Sequence, residues 1–194
     1  GDELPTIYSK RELMHLIEDH EDAHESDLDE DEERIIKGAL TFSDQKVRDI
    51  MTPRTVVHAF QKEQAIDDKL LQEVRESGLS RFPVFDTDLD SIVGMLYTSE
   101  LIGAGNVGKA VGDVASREVR FINENESLDD VLQMFLKSRK HLSIVRDEFG
   151  GMSGVLTLED VLEEIIRSEI VDERDLHSDM RAFARRNGTS APLT

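Results

Sequence analysis

The sequence predicts an α+β fold in which one unit of about 60 residues occurs twice and the two copies pack as a pseudo-twofold pair. Three observations predict it. Similar segments recur from Val47 onward, each copy runs from a helical period into two β-rich segments around a turn, and the acidic residues crowd at either end of the duplicated part.

In chain order, the first element is an amphipathic helix over residues 9–24. Leu13, Ile17, His20 and Glu21 or His24 recur there at helical spacing after Ser9, an N-cap residue. Residues 18–33 then hold eleven acidic side chains and no Lys or Arg, which reads as a solvated hinge. Residues 31–40 form a short helix with Ile35, Ile36 and Leu40 as its apolar stripe, and Phe42 leads into the folded body.

Copy one opens with Val47-Arg48-Asp49-Ile50, and Val111-Gly112-Asp113-Val114 stands 64 residues later. A helix follows in each, marked by Ile66, Leu70, Leu71 and Val74 and by Leu128, Val131, Leu132 and Phe135. Next come strands, Phe82-Pro83-Val84-Phe85-Asp86 and Leu142-Ser143-Ile144-Val145-Arg146-Asp147. Turn-forming residues at 86–90 and 147–151 join each to a second strand, entered at Gly94 and Gly154, 60 residues apart. Each second strand runs into a helix, weakly at Leu101 and strongly at 161–166, so the expected order in each unit is short strand, helix, hairpin strands, helix. Neither unit alone covers both faces of so small a sheet, so the halves pack together and leave clefts between them. The expected organisation is an acidic helical linker over 1–40, repeats over 41–109 and 110–175, and a polar tail over 176–194.

Composition narrows the function classes. The 194 residues carry 42 acids against 23 Lys and Arg, a net charge of −19, which repels nucleic acid at long range, and no basic cluster interleaved with aromatics offsets it. No apolar run approaches the roughly 20 residues of a membrane helix, and no signal peptide opens the chain. This piece is expected to be soluble, and its start at Gly1 reads as a fragment of something longer. With no cysteine there is no disulfide or thiol nucleophile, which is compatible with an intracellular setting. The charge is also localised: residues 18–33 supply −11 and residues 159–175 supply −6, leaving −2 for the rest. A polyphosphate ligand is therefore not excluded.

The segments Val47-Arg48-Asp49-Ile50-Met51-Thr52-Pro53-Arg54, Ser80-Arg81-Phe82-Pro83-Val84-Phe85 and His141-Leu142-Ser143-Ile144-Val145-Arg146-Asp147-Glu148-Phe149-Gly150-Gly151 resemble the tandem cystathionine-beta-synthase (CBS) domain pair of the CorC/HlyC/CNNM family. Gly154-Val155-Leu156-Thr157-Leu158-Glu159-Asp160-Val161-Leu162-Glu163-Glu164-Ile165-Ile166 is the most specific stretch, and the likeness covers about residues 30–175. The resemblance implies a regulatory module, not an enzyme. It implies a cytosolic domain behind a transmembrane part, a homodimer formed through the CBS pairs, and adenine nucleotide (ATP or AMP, with Mg²⁺ carried by its phosphates) in the cleft between repeats. The segment from Ser168 to Glu173 looks like the exit toward a further domain. A module with empty clefts, serving dimerisation alone, is the alternative.

Thr157 and Asp160 form a T-x-x-D at a helix start, which by itself reads as a capping box; by the resemblance the same pair holds the ribose hydroxyls. In copy one Tyr97 and Glu100 stand in their places, so one good site and one degenerate site are expected. The resemblance puts Arg81 near the polyphosphate, where a guanidinium bonds phosphate oxygens in pairs. Thr52, Pro53, Thr55 and Val57 are expected on the adenine side, Phe82 and Pro83 beside Arg81, and Ile144 on the opposite wall. No protein ligand for a metal is expected. His20-Glu21-Asp22-Ala23-His24 also matches H-E-x-x-H, a zinc-hydrolase pattern, but no third ligand or walled cleft accompanies it.

Overall fold

The computed structural model describes residues 8–21, 28–101 and 105–167. His24, the middle of the acidic hinge, the exit segment from Ser168 and the tail over 176–194 lie outside the described residues. The chain divides into two compact units: Phe42–Glu164 is one, and the segments on either side of it make the other.

In the flanking unit, α1 (Lys10–Glu21) starts as the N-cap pattern requires. The Ser9 hydroxyl accepts the Glu12 amide at 3.3 Å, and the Ser9 amide donates to the Glu12 carboxylate at 2.6 Å, a reciprocal box that holds Glu12 below the usual carboxylate range. Helix α2 (Glu30–Phe42) starts the same way, with Asp29 and Glu32 exchanging bonds of 2.8 and 3.1 Å. Part of the acidic run is thus not hinge: Glu30, Asp31, Glu32 and Glu33 form the first turn of α2, where the helix dipole favours negative charge.

The unit Phe42–Glu164 contains both copies except the last three residues of the final helix. Copy one comprises α3 (Val47–Ile50), β1 (Thr52–Pro53), β2 (Phe60–Gln61), α4 (Asp68–Ser77), β3 (Arg81–Phe85) and β4 (Ile92–Tyr97). Copy two comprises α5 (Val111–Val114), β5 (Phe121–Asn123), α6 (Leu128–Ser138), β6 (Leu142–Arg146), β7 (Met152–Thr157) and α7 (Leu158–Arg167). Both main helices bury the expected stripe, Leu70 and Val74 in α4 and Leu128, Val131 and Phe135 in α6. The Asp67 carboxylate caps α4 by accepting the Leu70 amide at 2.9 Å, and Gly78 ends it in the left-handed conformation at φ 66°. Each hairpin is antiparallel with the same irregularity beside its connecting turn, and each takes a short parallel strand, β2 on β3 and β5 on β6.

One feature was not expected. The strand orders are β2-β3-β4 and β1-β7-β6-β5, so β1 of copy one belongs to the sheet of copy two, with Thr52 opposite Val155 and Pro53 opposite Gly154. Copy two answers in kind, because Ser116 and Met95 exchange backbone bonds of 2.8 and 2.9 Å. The matching glycines mark these crossings. A Cβ on Gly154 would stand 2.1 Å from the Thr52 carbonyl oxygen, and one on Gly94 would stand 3.0 Å from the Ser116 oxygen.

The core follows the same plan. Phe60, Leu70, Phe82 and Leu96 fill copy one, while Ile92 and Met95 meet Ile144, Met152 and Val155 where the copies join. Each large side chain buried there contributes about 1.5–3 kcal/mol relative to exposure. The helix expected weakly at Leu101 is only a 3₁₀ turn, Thr98–Leu101.

Candidate functional site

Where β7 ends, Thr157 passes the chain into α7, and three bonds fix the corner. The Asp160 carboxylate accepts the Thr157 amide at 2.9 Å and its hydroxyl at 2.6 Å, while the Thr157 hydroxyl accepts the Asp160 amide at 3.1 Å. Both bonds to the carboxylate go to Oδ2. The capping box and a ligand role are therefore compatible, since Oδ1 remains for a hydroxyl donor.

These two side chains line a cavity of about 370 Å³, within the size range of small-molecule sites. Thr52 and Val57 close one side, Leu142 and Val155 another, and Arg81 and Pro83 bring β3 to its edge. Arg81 is half-buried, and no carboxylate pairs with it among the described residues. Of the residues the sequence singled out, the cavity brings together Thr52, Val57, Arg81, Pro83, Thr157 and Asp160.

The other four lie outside the lining of this cavity. Side chains alternate along β3, so Arg81 and Pro83 reach the cavity while Phe82 is fully buried in the copy-one core. Ile144 is fully buried among Ile92, Met95 and Val155, at the join between the copies instead of on the wall. Pro53 and Thr55 are exposed, one in the exchanged strand and one in the 3₁₀ turn Arg54–Val56.

Sequence reasoning missed the loop Gly78, Leu79 and Ser80, as well as His58 and Glu159. His58 is positioned by ring contacts to Phe60 and Phe82, with centroids 5.1 and 5.3 Å away, and by a 2.7 Å contact from Nε2 to Glu73. Glu159 is 3.6 Å from His141 Nδ1. The loop was discoverable, because it immediately precedes Arg81 and follows a glycine placed to end α4.

The copy-one corner is built differently. There the Tyr97 amide donates to the Glu100 carboxylate at 3.3 Å, and Tyr97 lines a second, smaller cleft of about 140 Å³ with Arg81, Arg120, Arg139 and Lys140. Among the described residues no group of three His, Asp or Glu side chains is placed to hold a metal ion. The H-E-x-x-H segment lies partly outside the described residues and gains no support.

Comparison with known proteins places this architecture. The family model for the CBS domain matches residues 111–167. A solved structure described as the CBS domain of the bacterial CNNM/CorC family Mg²⁺ transporter aligns over 86% of this chain and 100% of its own, at 34% identity and a TM-score of 0.72. The chain belongs to the CorC/HlyC/CNNM family of CBS-domain proteins. Another CNNM/CorC CBS structure, solved in complex with ATP, is 35% identical, covers 70% of this chain and 96% of its own, and has a TM-score of 0.65. The magnesium and cobalt efflux protein CorC of Escherichia coli K12 is 37% identical over 190 residues, or 95% of this chain. The chain spans 63% of the length of that CorC protein. No helix among the described residues is long and apolar enough to cross a membrane.

Proposed function

We propose that this CBS pair is a regulatory module that binds adenine nucleotide, ATP or AMP, in the 370 Å³ cavity and passes its occupancy to a membrane ion-transport domain of the parent chain. Residues 41–109 and 110–175 act as the two repeats, on the cytosolic side, within a homodimer. The carrying observation is convergence: a carboxylate, a hydroxyl and a guanidinium with no ion-pair partner among the described residues line one cavity, in a chain 35% identical to a CBS domain solved with ATP.

Each group has a role suited to its chemistry. Asp160 accepts from the ribose hydroxyls and Thr157 helps to orient them, Arg81 neutralises phosphate, and Val57 and Val155 offer apolar surface to the adenine. Glu159 and Asp160 line the same cavity and would repel a polyphosphate, so Mg²⁺ carried on the nucleotide screens that repulsion. Binding regulates only by favouring one domain arrangement over another, which requires different affinity for the two.

Calorimetric titration tests the reading. Asp160→Ala removes charge-assisted hydrogen bonds worth roughly 1.5–3 kcal/mol each, so affinity is expected to fall on the order of tenfold to a hundredfold while the fold persists. Unchanged affinity would remove the site assignment. Failure of millimolar ATP and Mg²⁺ to raise the melting temperature would leave a dimerisation module without nucleotide.

A further inference from the structure

The smaller cleft is the pseudo-twofold counterpart of the nucleotide cavity, with its chemistry inverted. Strand register matches Tyr97 to Thr157, Met95 to Val155 and Arg81 to Leu142. The left-handed helix ends match Arg139 to Gly78, and so Lys140 to Leu79 and His141 to Ser80. Where one copy presents glycine, leucine and serine, the other presents three basic side chains. Arg120, just before β5, adds a fourth, and Arg81 lines both cavities.

Three observations set this cluster apart from an ordinary surface. In a chain of net charge −19, the cleft gathers Arg81, Arg120, Arg139 and Lys140 around one carboxylate, Glu118. None of the three arginines has an ion-pair partner among the described residues, although the chain carries 42 acids. Lys140 alone is paired, at 2.5 Å to Glu118; that bond holds it above the usual lysine range, while the nearby Arg120 charge opposes its protonation. Finally, Arg139 has φ 55° and is the one described non-glycine residue with positive φ, where its counterpart is Gly78. Strain of this kind persists where surrounding structure enforces it and often marks a binding site.

Guanidinium groups match phosphate oxygens in paired bonds, and at about 140 Å³ the cleft falls below the roughly 300 Å³ where small-molecule sites begin. We propose that this cleft binds a phosphate group without a nucleoside, held by Arg81, Arg120, Arg139 and Lys140. The phosphate is either free inorganic phosphate or the terminal phosphates of the nucleotide in the adjoining cavity, reached across Arg81. Only the second source rests on the nucleotide reading above.

The test titrates the whole chain with pyrophosphate, ATP and AMP, in the wild type, Asp160→Ala, and Arg120→Gln combined with Arg139→Gly. A free-phosphate site binds pyrophosphate, keeps it in Asp160→Ala and weakens at least tenfold in the double variant. A tail site shows no pyrophosphate binding alone, but the double variant lowers ATP affinity at least tenfold and leaves AMP within twofold. If the double variant changes neither pyrophosphate binding nor the ratio of ATP to AMP affinity, the proposal is overturned. Arg139→Gly alone, which installs the residue found in copy one, repeats the comparison if the double variant loses its melting transition.

Discussion

The two strand-to-helix corners of this molecule descend from one plan and differ in what they retain. At Thr157 the side chains and backbone amides of Thr157 and Asp160 share three bonds and launch the ten-residue helix α7. At Tyr97 the backbone amide donates one bond of 3.3 Å to the longer Glu100 carboxylate, and the chain leads into a four-residue 3₁₀ turn. The exchanged backbone pairing, by contrast, is kept in both copies, as the strand β1 on β7 and as a single bridge from Ser116 to Met95, together with the glycines that admit it. Architecture is thus symmetric where backbones cross and asymmetric where side chains face a cleft. A ligand that meets one hydroxyl–carboxylate corner and one basic corner cannot bind the two clefts alike.

The largest expected effect tests the symmetric part. Gly154→Ala drives a Cβ to 2.1 Å from the Thr52 carbonyl, backbone against backbone, so β1 must leave β7. We expect a loss at the upper end of overpacking costs, about 3 kcal/mol, and weaker nucleotide binding because Thr52 is a cavity wall. Gly94→Ala meets Ser116 at 3.0 Å and is expected to cost about 1 kcal/mol. Chemical denaturation of both variants checks the ranking, and equal losses would show that the two crossings are equivalent after all.

Next in size is repair of the weak corner. Replacing Tyr97 with Thr and Glu100 with Asp supplies the cap that copy one lacks, with an expected gain of about 1 kcal/mol, read as a rise of roughly 2–4 °C in melting temperature. Nucleotide stoichiometry should stay at one per chain, because the grafted pair would still face Arg120, Arg139 and Lys140 in a cleft of about 140 Å³. Two sites by calorimetry would mean that the corner residues alone decide binding.

Much of this was legible in the sequence. The stripes of α4 and α6 and the paired hairpins follow from period, and Thr157, Asp160 and Arg81, expected at one site by the family resemblance, do line one cavity. The strand exchange was not legible, since Thr52, Pro53 and Ser116 are too few to show a period and pair across the repeat boundary. Phe82 falls in the core because side chains alternate along β3, while Ile144 shares the face of the wall residue Leu142 and differs from it in depth, being fully buried two residues farther along β6. The basic cleft went unseen because Arg81, Arg120, Arg139 and Lys140 come from three separate stretches of chain.

The smallest effect distinguishes strain from use at Arg139. Glycine there relieves a left-handed arginine, worth roughly 1–2 kcal/mol, but adds backbone freedom to the unfolded chain, costing about 0.5–1 kcal/mol. The expected net is a stabilisation of about 0.5–1 kcal/mol for Arg139→Gly, while Gly78→Arg should lose a comparable amount or more from the matching position at φ 66°. A residue that lowers stability and is nevertheless held at the edge of a cleft is what a trade of stability for binding looks like. If Arg139→Gly is instead destabilising in urea, the arginine contributes structural contacts that outweigh its strain. The asymmetry between the two helix ends would then be a matter of packing and not of charge.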